Sequence, residues 1–252
     1  MPIITLTTDF GTADGYVGEV KGILAELAPE AEVVDIAHDI VPGDVDSARL
    51  ALARFWRRFP PGTVHLVVVD PGVGSSRAAI AVSSDERFLV GPDNGVLSPA
   101  LVAAGSRVVE LPLPTGAAPT FHGRDIFAPA AARLAGGTAL ELLGMPLPSP
   151  VVRRTPEPRR RSDGAIGGEV IAVDRFGNLI TNLIAPRGGL VEIAGRVVGP
   201  LRRSYSDVEP GALVAVVGSS GLVEVAVRDG SAATLLHTGR GAEVLLRLLA
   251  GA

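Results

Sequence analysis

The run Val64-His65-Leu66-Val67-Val68-Val69, closed by Asp70-Pro71-Gly72, limits this chain more than any other stretch. It is apolar and β-branched without polar alternation, which suits a strand covered on both faces, as in a parallel sheet. A proline and two glycines, Gly72 and Gly74, then force a tight loop. Asp70 therefore stands at the carboxyl end of a buried strand, with a Gly/Ser loop and Arg77 after it. Ligands of open α/β sheets bind at that edge. Two readings follow: Asp70 and Arg77 belong to a site, or Asp70 caps a turn and Arg77 is a solvated charge.

The flanking chain decides the fold class. Residues 2–6 (PIITL) form a short apolar strand ending in Thr7-Thr8-Asp9, so Asp9 also follows a strand end. Val17, Val20, Ile23, Leu24 and Leu27 recur at helical spacing until Pro29, with Asp14 as the expected N-cap. A second strand over 32–37 precedes His38-Asp39, and Asp44 opens a helix expected over 45–59. Strand, helix, strand, helix and strand predict a doubly wound, largely parallel, Rossmann-like α/β sheet. Two more strands follow over 79–83 and 87–90, then the turn-rich GPDNG of residues 91–95. His122 lies in a loop at a helix start, before the alanine-rich residues 126–134.

Residues 146–163 are rich in Pro, Arg and Ser and have no apolar period, so the joint is placed there, with Arg159-Arg160-Arg161 as a solvated run. The expected division is an N-terminal α/β domain over 1–150, a linker over 151–164 and a C-terminal domain over 165–252. Beyond the joint, short runs split by glycine turns predict a small β-barrel or sandwich.

Composition narrows the function. Lys21 is the only lysine and no arginine-rich arm with aromatics occurs, which argues against nucleic acid as a partner. No apolar run approaches the ~20 residues needed to span a bilayer, so no membrane partner is expected. The chain has no cysteine, which rules out disulfides and thiolate catalysis and fits a reducing, cytoplasmic setting. No leader is visible ahead of the first strand. The four histidines, His38, His65, His122 and His237, show no metal-ligand spacing, so no metal is expected. His65 reads as a core histidine. No G-x-S-x-G elbow is present. The acidic residues after strands, Asp9, Asp70 and Asp174, could accept hydrogen bonds from both hydroxyls of a ribose. Phosphate-cradling glycine loops are absent, so a bound nucleoside is expected without a polyphosphate. Ser219-Ser220-Gly221 reads either as a turn or as donors for a carboxylate.

The segments TTDFGTADGYVGEVKG, VVDPGVGSSR, GPDNG, TFHGRDIFAPAAA and DRFGNLITN together resemble the S-adenosyl-L-methionine (SAM) hydroxide adenosyltransferases, adenosine-forming hydrolases related to the fluorinase and chlorinase. The segments occur in the family's order and cover most of the chain. The resemblance implies a Rossmann-like domain followed by a β-barrel, a homotrimer, and SAM held between one subunit's N-terminal domain and its neighbour's C-terminal domain. It implies attack of water or hydroxide on C5′ of SAM, giving adenosine and L-methionine without a cofactor. The family's catalytic set falls on Asp70, Arg77 and His122. Its ribose-binding aspartate falls on Asp9, and acidic partners of the methionine ammonium on Asp14 and Asp174. Phe121 and Phe176 match rings near the ligand, Asn178 a residue near adenine, and Ser219 and Ser220 the region that receives the methionine carboxylate.

The halide-using relatives replace the aspartate and histidine of that set, and both are present here, which favours hydroxide. A pocket tryptophan of the fluorinase aligns with Gly43, and the fluorinase insertion after residues 79–83 is missing. Two other functions compete: a SAM- or adenosine-binding sensor with little turnover, and a SAM-dependent halogenase. Arg124-Asp125 reads as a local ion pair at a helix start, and single aromatics such as Phe121 and Phe176 also suit a core.

Overall fold

The computed structural model describes residues 1–184 and 188–248. The chain divides into two compact units, Met1–Arg154 and Thr155–Ala252.

The first unit begins with β1 (Ile3–Thr8), α1 (Tyr16–Leu27), β2 (Glu32–Ala37), α2 (Val45–Phe55) and β3 (Val64–Val68). β1 lies between β2 and β3 and is parallel to both. Every residue of β3 is buried, as its unbroken apolar run requires. Val64, Leu66 and Val68 enter one core cluster with Val20 and Leu24 of α1, while Val67 and Val69 enter another with Ala48, Leu52 and Trp56. Alternate side chains of one strand thus feed two cores on opposite sheet faces. His65 is fully buried in this strand, as expected, with Nδ1 2.8 Å from Thr5 Oγ1.

The two helices start differently. Asp44 caps α2 by accepting the Ser47 N–H at 3.0 Å. The expected cap of α1 by Asp14 does not occur, because the N-cap is Gly15. Its φ of 82° is left-handed, a conformation glycine adopts freely, and the helix begins at Tyr16. The helix expected over 45–59 ends at Phe55 and continues as a single 3-10 turn, Trp56–Arg58.

After β3 the sheet changes direction. β4 (Ala79–Ser84) and β5 (Arg87–Pro92) form a hairpin through Asp85 and Glu86, both at positive φ (46° and 59°). β5 is parallel to β3, but β4 is antiparallel to β5 and to β6 (Arg107–Glu110), which follows the short α3 (Ser98–Leu101). α4 (Ala128–Ala135) packs on α1, and β7 (Met145–Pro146) completes the order β2-β1-β3-β5-β4-β6-β7. The expectation of a largely parallel Rossmann-like sheet is therefore corrected: the sheet is mixed, parallel from β2 to β5 and antiparallel beyond. A short hairpin returns the chain antiparallel, whereas a parallel partner needs a long crossover.

The second unit is a closed β-barrel of seven strands. They are β9 (Ile166–Val173), β10 (Leu179–Ile184), β11 (Leu190–Ile193), β12 (Arg196–Arg202), β13 (Leu213–Val217), β14 (Leu222–Val227) and β15 (Glu243–Arg247). The ring closes because β9 pairs with β15 through its first half and with β10 through its second. β12–β13 is its parallel pairing. β8 (Arg159–Arg160) pairs with β9 from outside the ring, so two residues read as a solvated run form a short strand. Their exposed charges suit an edge that must not attract another strand. α5 (Ala232–Leu236) buries Ala232 and Leu236 against the barrel core. No described helix is long and apolar enough to cross a membrane.

Candidate active site

Three loops of the first unit carry the predicted residues, and close packing joins them. Asp9 follows β1, and its Oδ2 accepts the Gly43 N–H at 2.7 Å. A Cβ on Gly43 would lie 3.5 Å from Pro71, the residue after Asp70. Gly74 has φ 77° and presses against the Pro119 carbonyl, where a Cβ would stand only 2.6 Å away. A Cβ on Gly123 would stand 3.2 Å from the Phe10 ring. Side chains larger than hydrogen at Gly74 or Gly123 would push the loops apart.

Asp70, Arg77 and His122 meet directly. Arg77 Nε donates to Asp70 Oδ1 at 2.9 Å and Nη2 donates to Asp70 Oδ2, a bidentate pair. The two side chains are only 9% and 5% exposed, so Asp70 is more than the cap of a surface turn. Nη2 also lies 2.9 Å from His122 Nδ1. A guanidinium only donates, so Nδ1 must accept, and the ring is neutral with its proton on Nε2. Burial and then the Arg77 charge push the His122 pKa below its ordinary 6.5, against the opposing pull of Asp70 and Asp125. Arg77 Nη1 is buried and no described protein group accepts from it. An unpaired buried donor on a cation is costly, so this nitrogen marks where an acceptor belongs.

The His122 loop is held from behind. His122 precedes a π-helical turn, Gly123–Phe127, a local unwinding common at functional sites. Arg124 and Asp125 form the expected ion pair, and Arg124 reaches Glu19 on α1 at 2.8 Å. Asp125 Oδ2 accepts the Ala118 N–H at 2.8 Å. The Arg124 guanidinium lies 4.9 Å from the Phe121 ring centre. Phe121 packs edge-to-face with Phe10 and Tyr16, at 5.9 and 5.4 Å between ring centres. Phe121 therefore joins a small aromatic cluster that half-exposed Tyr16 carries to the surface. Asp14 is exposed, two residues before Tyr16.

The remaining predicted residues lie in the second unit, in two separate turns. Asp174 Oδ1 accepts the N–H groups of Phe176 and Asn178, both at 2.9 Å, and Oδ2 accepts Asn178 Nδ2 at 2.9 Å. Asp174 and Asn178 thus brace one hairpin turn, which presents Phe176 outward at 74% exposure. Ser219 and Ser220 are exposed in the β13–β14 turn, closed by Gly221 N donating to the Gly218 carbonyl at 2.9 Å. In the β10–β14 pairing, Leu179 faces Val225 and Ile184 faces Leu222, so these two turns lie toward opposite ends of β14. Among the described residues, no cluster of three or more His, Asp or Glu is placed to hold a metal.

Sequence reasoning singled out GPDNG without giving Asn94 a task. Its side-chain amide donates to the Val69 carbonyl at 2.9 Å, immediately before Asp70. The signal was an asparagine beside glycine at a strand end, which reads equally as a turn residue.

Comparison with known proteins agrees with the motifs. Residues 4–144 match the SAM hydroxide adenosyltransferase N-terminal domain and residues 168–245 the C-terminal domain of the same family. An (R)-S-adenosyl-L-methionine hydrolase of Thermus thermophilus is 46% identical, over 95% of this chain and 97% of that protein. One from Salinispora arenicola is 43% identical, over 99% and 98%. A crystal structure of an uncharacterized conserved protein from Thermotoga maritima superposes with a TM-score of 0.87 at 34% identity, covering 98% of this chain and all of that one.

Proposed function

This chain belongs to the SAM hydroxide adenosyltransferase family, and from that premise we infer that it hydrolyses SAM to adenosine and L-methionine. The observation that carries the reading is the buried bidentate Asp70–Arg77 pair joined to a neutral His122, which brings a carboxylate and a free ring N–H together.

Three residues divide the work. His122 Nε2–H donates to the oxygen of a water molecule, Arg77 fixes His122 and Asp70 beside it, and the water is held for in-line attack on C5′. The O–C5′ bond forms as the C5′–S bond breaks, and the bonding pair goes to sulfur. The leaving group is a neutral thioether, so no general acid is needed. The water must lose a proton, and bulk water, with a pKa of ~15.7, does not lose it readily. His122 Nδ1 is committed to Arg77, which leaves Asp70: each carboxylate oxygen keeps a lone pair beyond its Arg77 bond. Asp70 takes the proton. Cationic substrate and developing hydroxide cancel charge along the way, so a water-poor site favours the step. Positioning supplies much of the remaining barrier reduction.

The other predicted residues bind. Asp9 receives the ribose hydroxyls through Oδ1, since Oδ2 already accepts from Gly43. Phe121 and Phe176 face the sulfonium, an attraction of about 1 kcal/mol per good ring. Asp14 attracts the methionine ammonium and Ser219 and Ser220 receive the carboxylate, while Asp174 braces the turn that carries Phe176 and sets Asn178 by the adenine. SAM is the substrate, and no cofactor takes part in the scheme. The family resemblance adds a homotrimer in which a neighbouring subunit completes each site, and the lack of cysteine fits a cytoplasmic location.

The test incubates purified protein with SAM, separately as each sulfonium epimer, in halide-free and in chloride buffer. Adenosine and methionine in both buffers are expected, with the (R) epimer preferred as in the named relatives. Bound but unconverted SAM would make the chain a binding protein, and a 5′-chloro product would make it a halogenase.

A further inference from the structure

We propose that Asn94 is a positioning residue that holds Asp70 in its bidentate pair with Arg77. The kinetic part of this inference rests on the hydrolase reading. β3 loses both neighbours before it reaches Asp70: its last partner on β1 is Thr8, facing Val68, and its last on β5 is Val90, facing Leu66. The peptide between Val69 and Asp70 lies beyond both ladders. Asn94 Nδ2 takes up the Val69 carbonyl at 2.9 Å, and so continues by a side chain the sheet that the backbone has left. On the far side of Asp70, its own carbonyl accepts the Val73 N–H at 3.2 Å. The residue is pinned before and after, and the direction of its carboxylate follows.

Only an amide fills this place. Asn94 donates to Val69 and, through Oδ1, accepts the Val96 N–H at 3.1 Å. An aspartate has the same shape but no donor, and would set a carboxylate oxygen against a carbonyl. The loop behind is fixed in turn. Arg153 Nε donates to the Asn94 carbonyl at 2.9 Å, and Arg153 lies across Gly95, whose φ of 93° and missing Cβ permit that approach.

The test compares Asn94→Asp and Asn94→Ala with the wild type in two readouts. One is the nitrogen-15 NMR signal of Arg77 Nε–H, assigned by its loss in Arg77→Lys and protected from solvent exchange while bound to Asp70. The other is kcat against KM for SAM. Exchange at Arg77 Nε–H at least about tenfold faster, with kcat ~100-fold lower and KM within about twofold, is expected, since misplacement by an ångström costs about that much rate. A general loss of structure would instead abolish the dispersed spectrum. An Arg77 signal as in the wild type, or an unchanged kcat in a wild type that forms adenosine, overturns the proposal. Should the wild type form no adenosine, the hydrolase reading fails and the Arg77 signal alone decides. Should neither variant fold, the wild-type Asn94 side-chain amide decides: slow exchange supports the proposal and exchange as fast as an exposed amide overturns it.

Discussion

Asp70 and Asp174 look alike in sequence and do different things in the fold. Each follows a β-strand and precedes a glycine-bearing turn. Asp174 spends its carboxylate on its own turn, reaching no further than Asn178. Asp70 reaches Arg77, which reaches His122 on a distant loop, and the ion pair is almost entirely buried. One acid organises a turn and the other, through Arg77, joins two loops. The lesson is that an acid at a strand end signals a site only when its partners come from elsewhere in the sequence. Removing the first should therefore cost chemistry, and removing the second should cost binding.

The largest effect is expected at Arg77. Arg77→Lys keeps the charge but not the fork that grips Asp70 and meets His122 together, and kcat should fall about 1000-fold in a single-turnover assay. Arg77→Ala should also destabilise the unit by about 3–5 kcal/mol in urea unfolding, because a buried carboxylate is left unpaired. Asp70→Asn should lower kcat by ~100-fold or more if Asp70 takes the proton, and full turnover would break that assignment.

His122 sharpens the comparison through pH. Its neutral form is required, and its pKa lies below 6.5 because of burial and Arg77. Activity should thus persist as the pH falls through 6.5 and decline only below it, as the ring gains a second donor facing Arg77. A pH profile of kcat should lose that acid limb in His122→Asn, with kcat reduced about 100-fold.

At Asp174 the effect should be smaller and of another kind. Asp174→Asn should raise KM for SAM about tenfold with kcat nearly kept, and a large fall in kcat would erase the contrast between the two acids. His65 should leave activity untouched and affect stability alone. Burial pushes its pKa down to about 4, so the unfolded chain takes a proton that the folded chain refuses. Stability should be full above 6.5 and fall by about 3 kcal/mol as the pH drops toward 4. Urea unfolding at a series of pH values would show that slope, and His65→Asn should flatten it.

Much of this was legible in the sequence because it is local. The unbroken apolar run of β3 requires two covered faces, and the structure supplies one core for Leu66 and another for Val67. Short strands punctuated by glycine pointed to a barrel or a sandwich, and the family resemblance chose the barrel. The mixed sheet was legible too, since only three residues separate the strands expected over 79–83 and 87–90, a gap that only an antiparallel hairpin spans, but the strand–helix alternation before it pointed to a parallel sheet. Asp14 could not be separated from Gly15 as the start of α1, since aspartate caps and left-handed glycines precede helices alike. Asn94 was hidden for a different reason: its partner, the Val69 carbonyl, belongs to the backbone and leaves no mark in side-chain patterns.

The most direct measurement is turnover of SAM in oxygen-18 water with wild type and Arg77→Ala, followed by mass spectrometry of both products. Attack by a held water on C5′ should place one oxygen-18 in the 5′ position of adenosine, leave methionine unlabelled, and all but vanish without Arg77. Adenosine free of label, or labelled adenosine formed equally well by Arg77→Ala, would contradict the role given to the Asp70–Arg77–His122 cluster.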